Sequence, residues 1–161
     1  MKNIKNLSPN PKTGFRQGYF IPANPEKYIG DITKIIYRSS WEKKFMILCD
    51  KSPMIVNWSS EPVAINYYSP IDNKMHKYFV DFFCSVEMNE GEIKKYFIEI
   101  KPKSQAVLEV KDPKGFRSKE KYASHLKTII INKAKWAAAD EYAKSMGYEF
   151  KVWTEENLNI L

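Results

Sequence analysis

Residues 75–101 read MHKYFVDFFCSVEMNEGEIKKYFIEIK, and the architecture turns on this stretch. Aromatic and β-branched residues dominate it and Asn89-Glu90-Gly91 supplies a turn, so it reads as a strand from Met75 to Val86 and another from Lys95 to Lys101. Asp81 sits inside Tyr78-Phe79-Val80-Asp81-Phe82-Phe83, where an unpartnered charge is costly to bury. Glu99 interrupts Tyr96-Phe97-Ile98-Glu99-Ile100-Lys101 in the same way, and the strand period of two sends Glu99 and Lys101 to one face. Pro102 has no N–H for a ladder, so this strand ends at Lys101.

Upstream, Met54 to Ser59 and Val63 to Tyr68 carry the same strand texture, and Ser69-Pro70-Ile71-Asp72-Asn73 reads as a hairpin turn. A helix precedes them. Ser39 or Ser40 caps it, Trp41, Phe45, Leu48 and Cys49 form its apolar face, and it ends near Asp50, before Pro53. Residues 1–28, crowded with Pro, Gly and Asn, read as an extended basic arm, and 29–161 as one domain.

Downstream, Ser118 to Met146 reads as a helix with Trp136, Ala139, Ala143 and Met146 as its buried stripe. The β-branched run Thr128 to Ile131 marks a candidate interruption. Gly147 suits a C-terminal cap, Tyr148 to Thr154 alternates as a last strand, and a short helix follows. Helix, strands, helix, strand, helix is the order of an α/β (α+β) domain, a mixed central sheet flanked by helices.

The 161 residues, 43% hydrophobic and 14% aromatic, suffice for one core. Apolar runs such as Phe45 to Cys49 are too short to span a bilayer or serve as a signal-peptide core, which leads us to expect a soluble intracellular protein. Cys49 and Cys84 lie among apolar neighbours with no Cys or His at ligand spacing; we read them as reduced core residues, and a zinc site has no support. The net charge of +7 is concentrated: residues 1–28 carry +4 and residues 114–135 carry +6, while 29–113 balance and 136–161 carry −3. Two basic blocks would attract a polyanion such as DNA, although a solvated lysine surface has the same composition.

Asp81 and Glu99 on neighbouring strands are hard oxygen donors suited to Mg²⁺ (or Mn²⁺), which fills its octahedron with water and phosphate oxygens. Lys101 could position or help deprotonate an attacking water, or offset charge at phosphorus. Glu42 could add a ligand or hold a water. The plainer alternatives are a buried ion pair of these carboxylates with Lys101 and a solvated Glu42. Arg38 could clamp a phosphate or pair with a carboxylate; His76 could touch DNA or sit as an ordinary strand-edge residue. Lys114, Arg117, Lys119 and Lys121 are candidate phosphate contacts that read no base sequence.

Asp81, seventeen intervening residues and then Glu99-Ile100-Lys101 give a spacing that resembles the PD-(D/E)xK nuclease superfamily, with Val80 where the motif's proline would stand. Further segments, Tyr37-Arg38-Ser39-Ser40-Trp41-Glu42, Trp58-Ser59-Ser60-Glu61, His76 to Phe82 and Glu99-Ile100-Lys101-Pro102, resemble the head-completion proteins of T4-like tailed phages. So do Asn24 to Gly30, Lys135-Trp136 and Phe150 to Glu155, and that family is similar in turn to the amino-terminal nuclease domain of TnsA-type transposition endonucleases.

The resemblance implies a restriction-endonuclease-like core, catalysis by Glu42, Asp81, Glu99 and Lys101, and Mg²⁺ held by Asp81, Glu99 and Glu42. It implies processing of the packaged double-stranded DNA end before neck and tail joining. Head, portal or neck proteins would be partners, in the host cytoplasm and then the head–neck region of the virion. A polar residue of the long helix, Asn132 or Lys133, would support the site or DNA. A non-catalytic DNA-end binder and a branched-DNA or transposition-type nuclease are the alternatives.

Overall fold

The computed structural model describes residues 17–159, within which eight strands and four α-helices follow one another. In chain order they are β1 (Gly18–Tyr19), β2 (Ile36–Tyr37), α1 (Ser40–Lys51), β3 (Ile55–Ser60), β4 (Ala64–Ser69), β5 (Lys74–Phe79) and β6 (Phe82–Glu87). Then come β7 (Ile93–Ile100), α2 (Lys103–Ala106), α3 (Lys119–Ser145), β8 (Glu149–Trp153) and α4 (Glu155–Asn159). The central sheet has the order β3-β6-β7-β8, antiparallel but for the β7/β8 pair. That one parallel pair requires a crossover, and α3 supplies it.

The sheet is mixed and flanked by helices, as the sequence order implies. Ile98 and Ile100 of β7 point into one core with Phe82, Cys84, Trp58 and the α1 residues Phe45, Met46 and Cys49. Phe97, one position out of phase, joins a second core with Ile65, Tyr67, Tyr78 and the α3 residues Ala139 and Ala143. Both cysteines are buried and free. Among the described residues no helix is long and apolar enough to cross a membrane.

The structure corrects four local expectations. Met75 to Val86 is two strands, because among the described residues β5 pairs only with β4, whereas β6 pairs with β3 and β7; the chain changes sheets at Val80-Asp81. Asp81 therefore lies in the break rather than inside a strand. The long helix runs without interruption through Thr128 to Ile131: Ile129 is buried, and the Thr128 hydroxyl donates to the Ser124 carbonyl. Met146 falls just past the helix end and is exposed, unlike Trp136, Ala139 and Ala143.

The segment read as an extended arm is, from Gln17 on, fastened to the domain; residues 1–16 lie outside the described residues. β1 pairs with β2, Phe20 enters the first core, and Tyr28 stacks edge-on against Trp58 with centroids 4.7 Å apart. The buried carboxylate of Asp50 accepts N–H groups from Ala23 and Asn24, each at 2.9 Å. Lys27 Nζ donates to the carbonyls of Asp50 and Ser52 at 3.0 and 2.7 Å.

Removing the Asp50 carboxylate would leave two part-buried N–H groups without acceptors. Asp50→Ala is accordingly expected to lower the unfolding free energy by about 2–4 kcal/mol, measured as a shift of the urea midpoint. An unshifted midpoint would show that this clasp contributes nothing.

Candidate active site

Glu99 lies near the end of β7, almost wholly buried, with each carboxylate oxygen engaged. Lys101 Nζ sits 2.9 Å from Oε1, and the Tyr78 hydroxyl donates to Oε2 at 2.5 Å. Lys101, just past the strand, keeps 27% of its side chain exposed, so the pair opens to solvent on the lysine side. Its backbone N–H donates to the Trp153 carbonyl at 2.9 Å, carrying the β7/β8 ladder one residue beyond Ile100.

Asp81 reaches the same place from the β5/β6 break. Its Oδ2 accepts the N–H of Ile100, the residue between Glu99 and Lys101, at 2.8 Å. The break is itself tied down, because Glu61 N–H donates to the Asp81 carbonyl at 2.8 Å, one step past the Ser60/Phe82 pair. Glu61 adopts the left-handed conformation with φ 45°, so the chain turns sharply at that point.

Glu42 comes from the first turn of α1. Ser39, the N-cap, accepts the Glu42 N–H at 3.1 Å, and its hydroxyl also lies 3.1 Å from Glu42 Oε1. Arg38 N–H donates to Oε2 at 2.8 Å. This is a reciprocal cap, with the carboxylate reaching back over the helix start. The alternative of a solvated Glu42 does not hold, since it is half-buried and close enough to bear electrostatically on Asp81 and Lys101.

Three carboxylates crowd the Lys101 ammonium, and the Arg38 guanidinium also bears on Glu42. Burial pushes the Asp81 carboxyl well above the usual aspartate range, and the neighbouring Glu99 pushes it further. Burial likewise raises Glu42, against the opposing pull of the Arg38 N–H and the Ser39 hydroxyl. Burial alone would lower Lys101, but the charges of Glu99, Asp81 and Glu42 outweigh it and raise its pKa, so it is an ammonium at neutral pH. The Tyr78 phenol is held protonated by its burial and by Glu99.

The donor set fits a hard divalent cation. Asp81 and Glu99 offer oxygen ligands in a place where neighbouring carboxylates oppose one another's charge, a repulsion that a dication would relieve. Among the described residues no three His, Cys, Asp or Glu side chains close into a cage, so most of the coordination shell would come from water and substrate oxygens. A cavity of about 780 Å³ is lined by Tyr28, Arg38, Glu61, Phe97 and Tyr142 among others, and by none of Glu42, Asp81, Glu99 and Lys101. The carboxylate cluster is thus not the floor of that cavity.

Other candidates lie around this centre. The Arg38 side chain is 3.6 Å from Glu61 Oε1, while its backbone fixes Glu42. His76 sits on the exposed part of the β4/β5 hairpin, 2.8 Å from Asp72 Oδ2. Asn132 is buried on α3 and Lys133 beside it is exposed. Lys114, Arg117, Lys119 and Lys121 are all exposed, on the connection before α3 and its first turn.

Sequence reasoning missed Tyr78 and Ser39 as site residues. A tyrosine in an apolar strand signals a buried hydroxyl in need of a partner. Nothing along the chain says that this partner is Glu99, 21 positions away.

Two comparisons with known proteins agree with this geometry. Residues 52–155 match the family model described as TnsA-like endonuclease N terminal. The chain is also similar to the "Head completion nuclease" of Enterobacteria phage T4, with 37% identity over 145 residues, covering 89% of this chain and 94% of that protein.

The cluster's charge conflict has a measurable consequence. The folded state holds the Asp81 proton more tightly than the unfolded chain does, so stability is lost as pH rises from the ordinary aspartate range toward the elevated value. Asp81→Asn removes that charge. Without metal it is expected to be more stable than the parent at about pH 8, by about 0.5–2 kcal/mol, with the advantage shrinking toward about pH 4 in urea titrations. A variant no more stable than the parent at the higher pH would contradict the charge conflict.

Proposed function

This chain belongs to the TnsA-like endonuclease family, and we propose that it is a divalent-metal-dependent DNA endonuclease that acts in completing the phage head. Its substrate in this reading is double-stranded DNA, cut at or near the packaged end before the neck and tail are joined, with head, portal or neck proteins as partners. The observation that supports it best is the meeting of Asp81, Glu99 and Lys101 from the β5/β6 break and the end of β7.

Asp81 and Glu99 are the residues that would hold Mg²⁺ or Mn²⁺, with Glu42 behind them to orient water. A divalent cation there would polarise the phosphodiester and make water a better nucleophile. Lys101, cationic and partly exposed, donates to the attacking water or to a phosphoryl oxygen and offsets the charge that gathers at phosphorus. Its raised pKa favours this positioning and electrostatic role over proton abstraction. In the step itself, water oxygen forms a new bond to phosphorus, one ester P–O bond breaks, and the leaving oxygen takes up a proton.

Arg38, His76, Lys133 and the block Lys114, Arg117, Lys119 and Lys121 are the side chains proposed to meet the DNA backbone. Such contacts position a duplex and read no sequence. The basic residues of the first sixteen positions, Lys2, Lys5, Lys12 and Arg16, would add to them.

Purified protein with circular and linear duplex DNA and Mg²⁺ or Mn²⁺ is expected to cleave both. Asp81→Ala, Glu99→Ala and Lys101→Ala are each expected to lower the rate by about 10²–10³-fold or more while leaving DNA binding in place. Binding without cleavage by the parent protein would favour a structural DNA-end binder, and a strong preference for branched DNA would point to a junction or transposition-type enzyme. Affinity should also fall steeply with salt. Neutralising Lys114, Arg117, Lys119 and Lys121 should flatten log K against log salt by about 0.9 for each DNA phosphate that then goes without a cation. An unchanged slope would place those side chains away from DNA.

A further inference from the structure

We propose that Tyr78 is a positioning residue that sets the plane of the Glu99 carboxylate, and thereby the affinity of the centre for divalent cations; this rests on the metal-centre reading of Asp81 and Glu99 given above. The two Glu99 oxygens are fixed from different parts of the fold. Lys101 holds Oε1 from two residues further on, just past the end of β7, and Tyr78 holds Oε2 from β5. With one anchor, the carboxylate could still swing about its terminal torsion, which is broad and has no sharp wells. The second anchor, at 2.5 Å and shielded from water, removes that freedom. Each carboxylate oxygen has a further acceptor direction, so neither anchor prevents Glu99 from binding a cation.

Tyr78 is well placed to hold a fixed geometry because it is itself held. It pairs across the hairpin with Ile65 and is packed in the second core with Tyr67 and Ala139. The Lys135 ammonium of α3 lies 5.7 Å from the centroids of both the Tyr67 and the Tyr78 rings. β5 belongs to a two-stranded sheet separate from the central one, and the Tyr78–Glu99 hydrogen bond connects that hairpin to the strand that carries the reaction centre.

Tyr78→Phe deletes the hydroxyl and keeps the ring. The full chain, without DNA, is titrated with Mn²⁺ and free Mn²⁺ is followed by electron paramagnetic resonance, with near-ultraviolet circular dichroism to confirm native packing. The variant is expected to bind Mn²⁺ about 10–100-fold more weakly than the parent. In cleavage assays it should need correspondingly more metal, while its KM for DNA is unchanged. Tyr67→Phe, on the same face but not on Glu99, is expected to bind as the parent does. Equal affinity of parent and Tyr78→Phe overturns the proposal, as does an equal loss in Tyr67→Phe, which would mark a general loosening of the hairpin. If the parent binds no Mn²⁺, or Asp81→Ala and Glu99→Ala bind as tightly as the parent, the metal-centre reading fails instead and takes the proposal with it.

Discussion

The crowding of three carboxylates, Glu42, Asp81 and Glu99, against the single ammonium of Lys101 is the constraint to which the rest of the fold answers. Like charges gathered out of water oppose folding, and each must be held by groups that cannot relax away. A backbone N–H of the central strand holds Asp81, a helix cap holds Glu42, and a lysine and a buried tyrosine hold Glu99. The cluster is anchored at every member, while burial and the mutual repulsion of its carboxylates oppose their charge.

Holding the cluster in register takes two cores. On one side α1 packs Phe45, Met46 and Cys49 onto Phe82 and Ile98, which fixes the helix start that carries Glu42. On the other, α3 and the β4/β5 hairpin cover Phe97 and bring Tyr78 over Glu99. Successive residues of β7 thus divide between the cores, and Glu99 and Lys101 appear on the Phe97 face where the second core gives out. The α3 crossover that makes β8 parallel to β7 also lets the Trp153 carbonyl hold the Lys101 backbone.

Much of this was legible in the chain. The strand period placed Glu99 and Lys101 together, and the polar cap before Trp41 placed the start of α1 and hence Glu42. Gly147, at φ +71°, ended α3 as its residue type suggests. What escaped depended on pairing between distant segments. A continuous run of strand-forming residues does not reveal that Phe79 pairs with β4 while Phe82 pairs with β3 and β7, so the break that aims Asp81 was invisible. Composition likewise marked residues 17–28 as irregular, but the Asp50 carboxylate that fastens them comes from the end of α1. Intrinsic propensity misjudged Thr128 to Ile131 because burial of Ile129 in a long helix outweighs the reluctance of β-branched residues.

The fold and the family membership make nucleolytic chemistry the natural use of such a centre, and its open lysine side suits a polymer better than an enclosed small molecule. In the proposed mechanism Asp81 and Glu99 share one divalent cation beside Lys101. Anomalous diffraction from crystals of the protein soaked in Mn²⁺ tests it most directly. A peak within coordination distance of both carboxylates is expected; density elsewhere, or none at a Mn²⁺ concentration that supports DNA cleavage, would show that Asp81 and Glu99 do not share the cation.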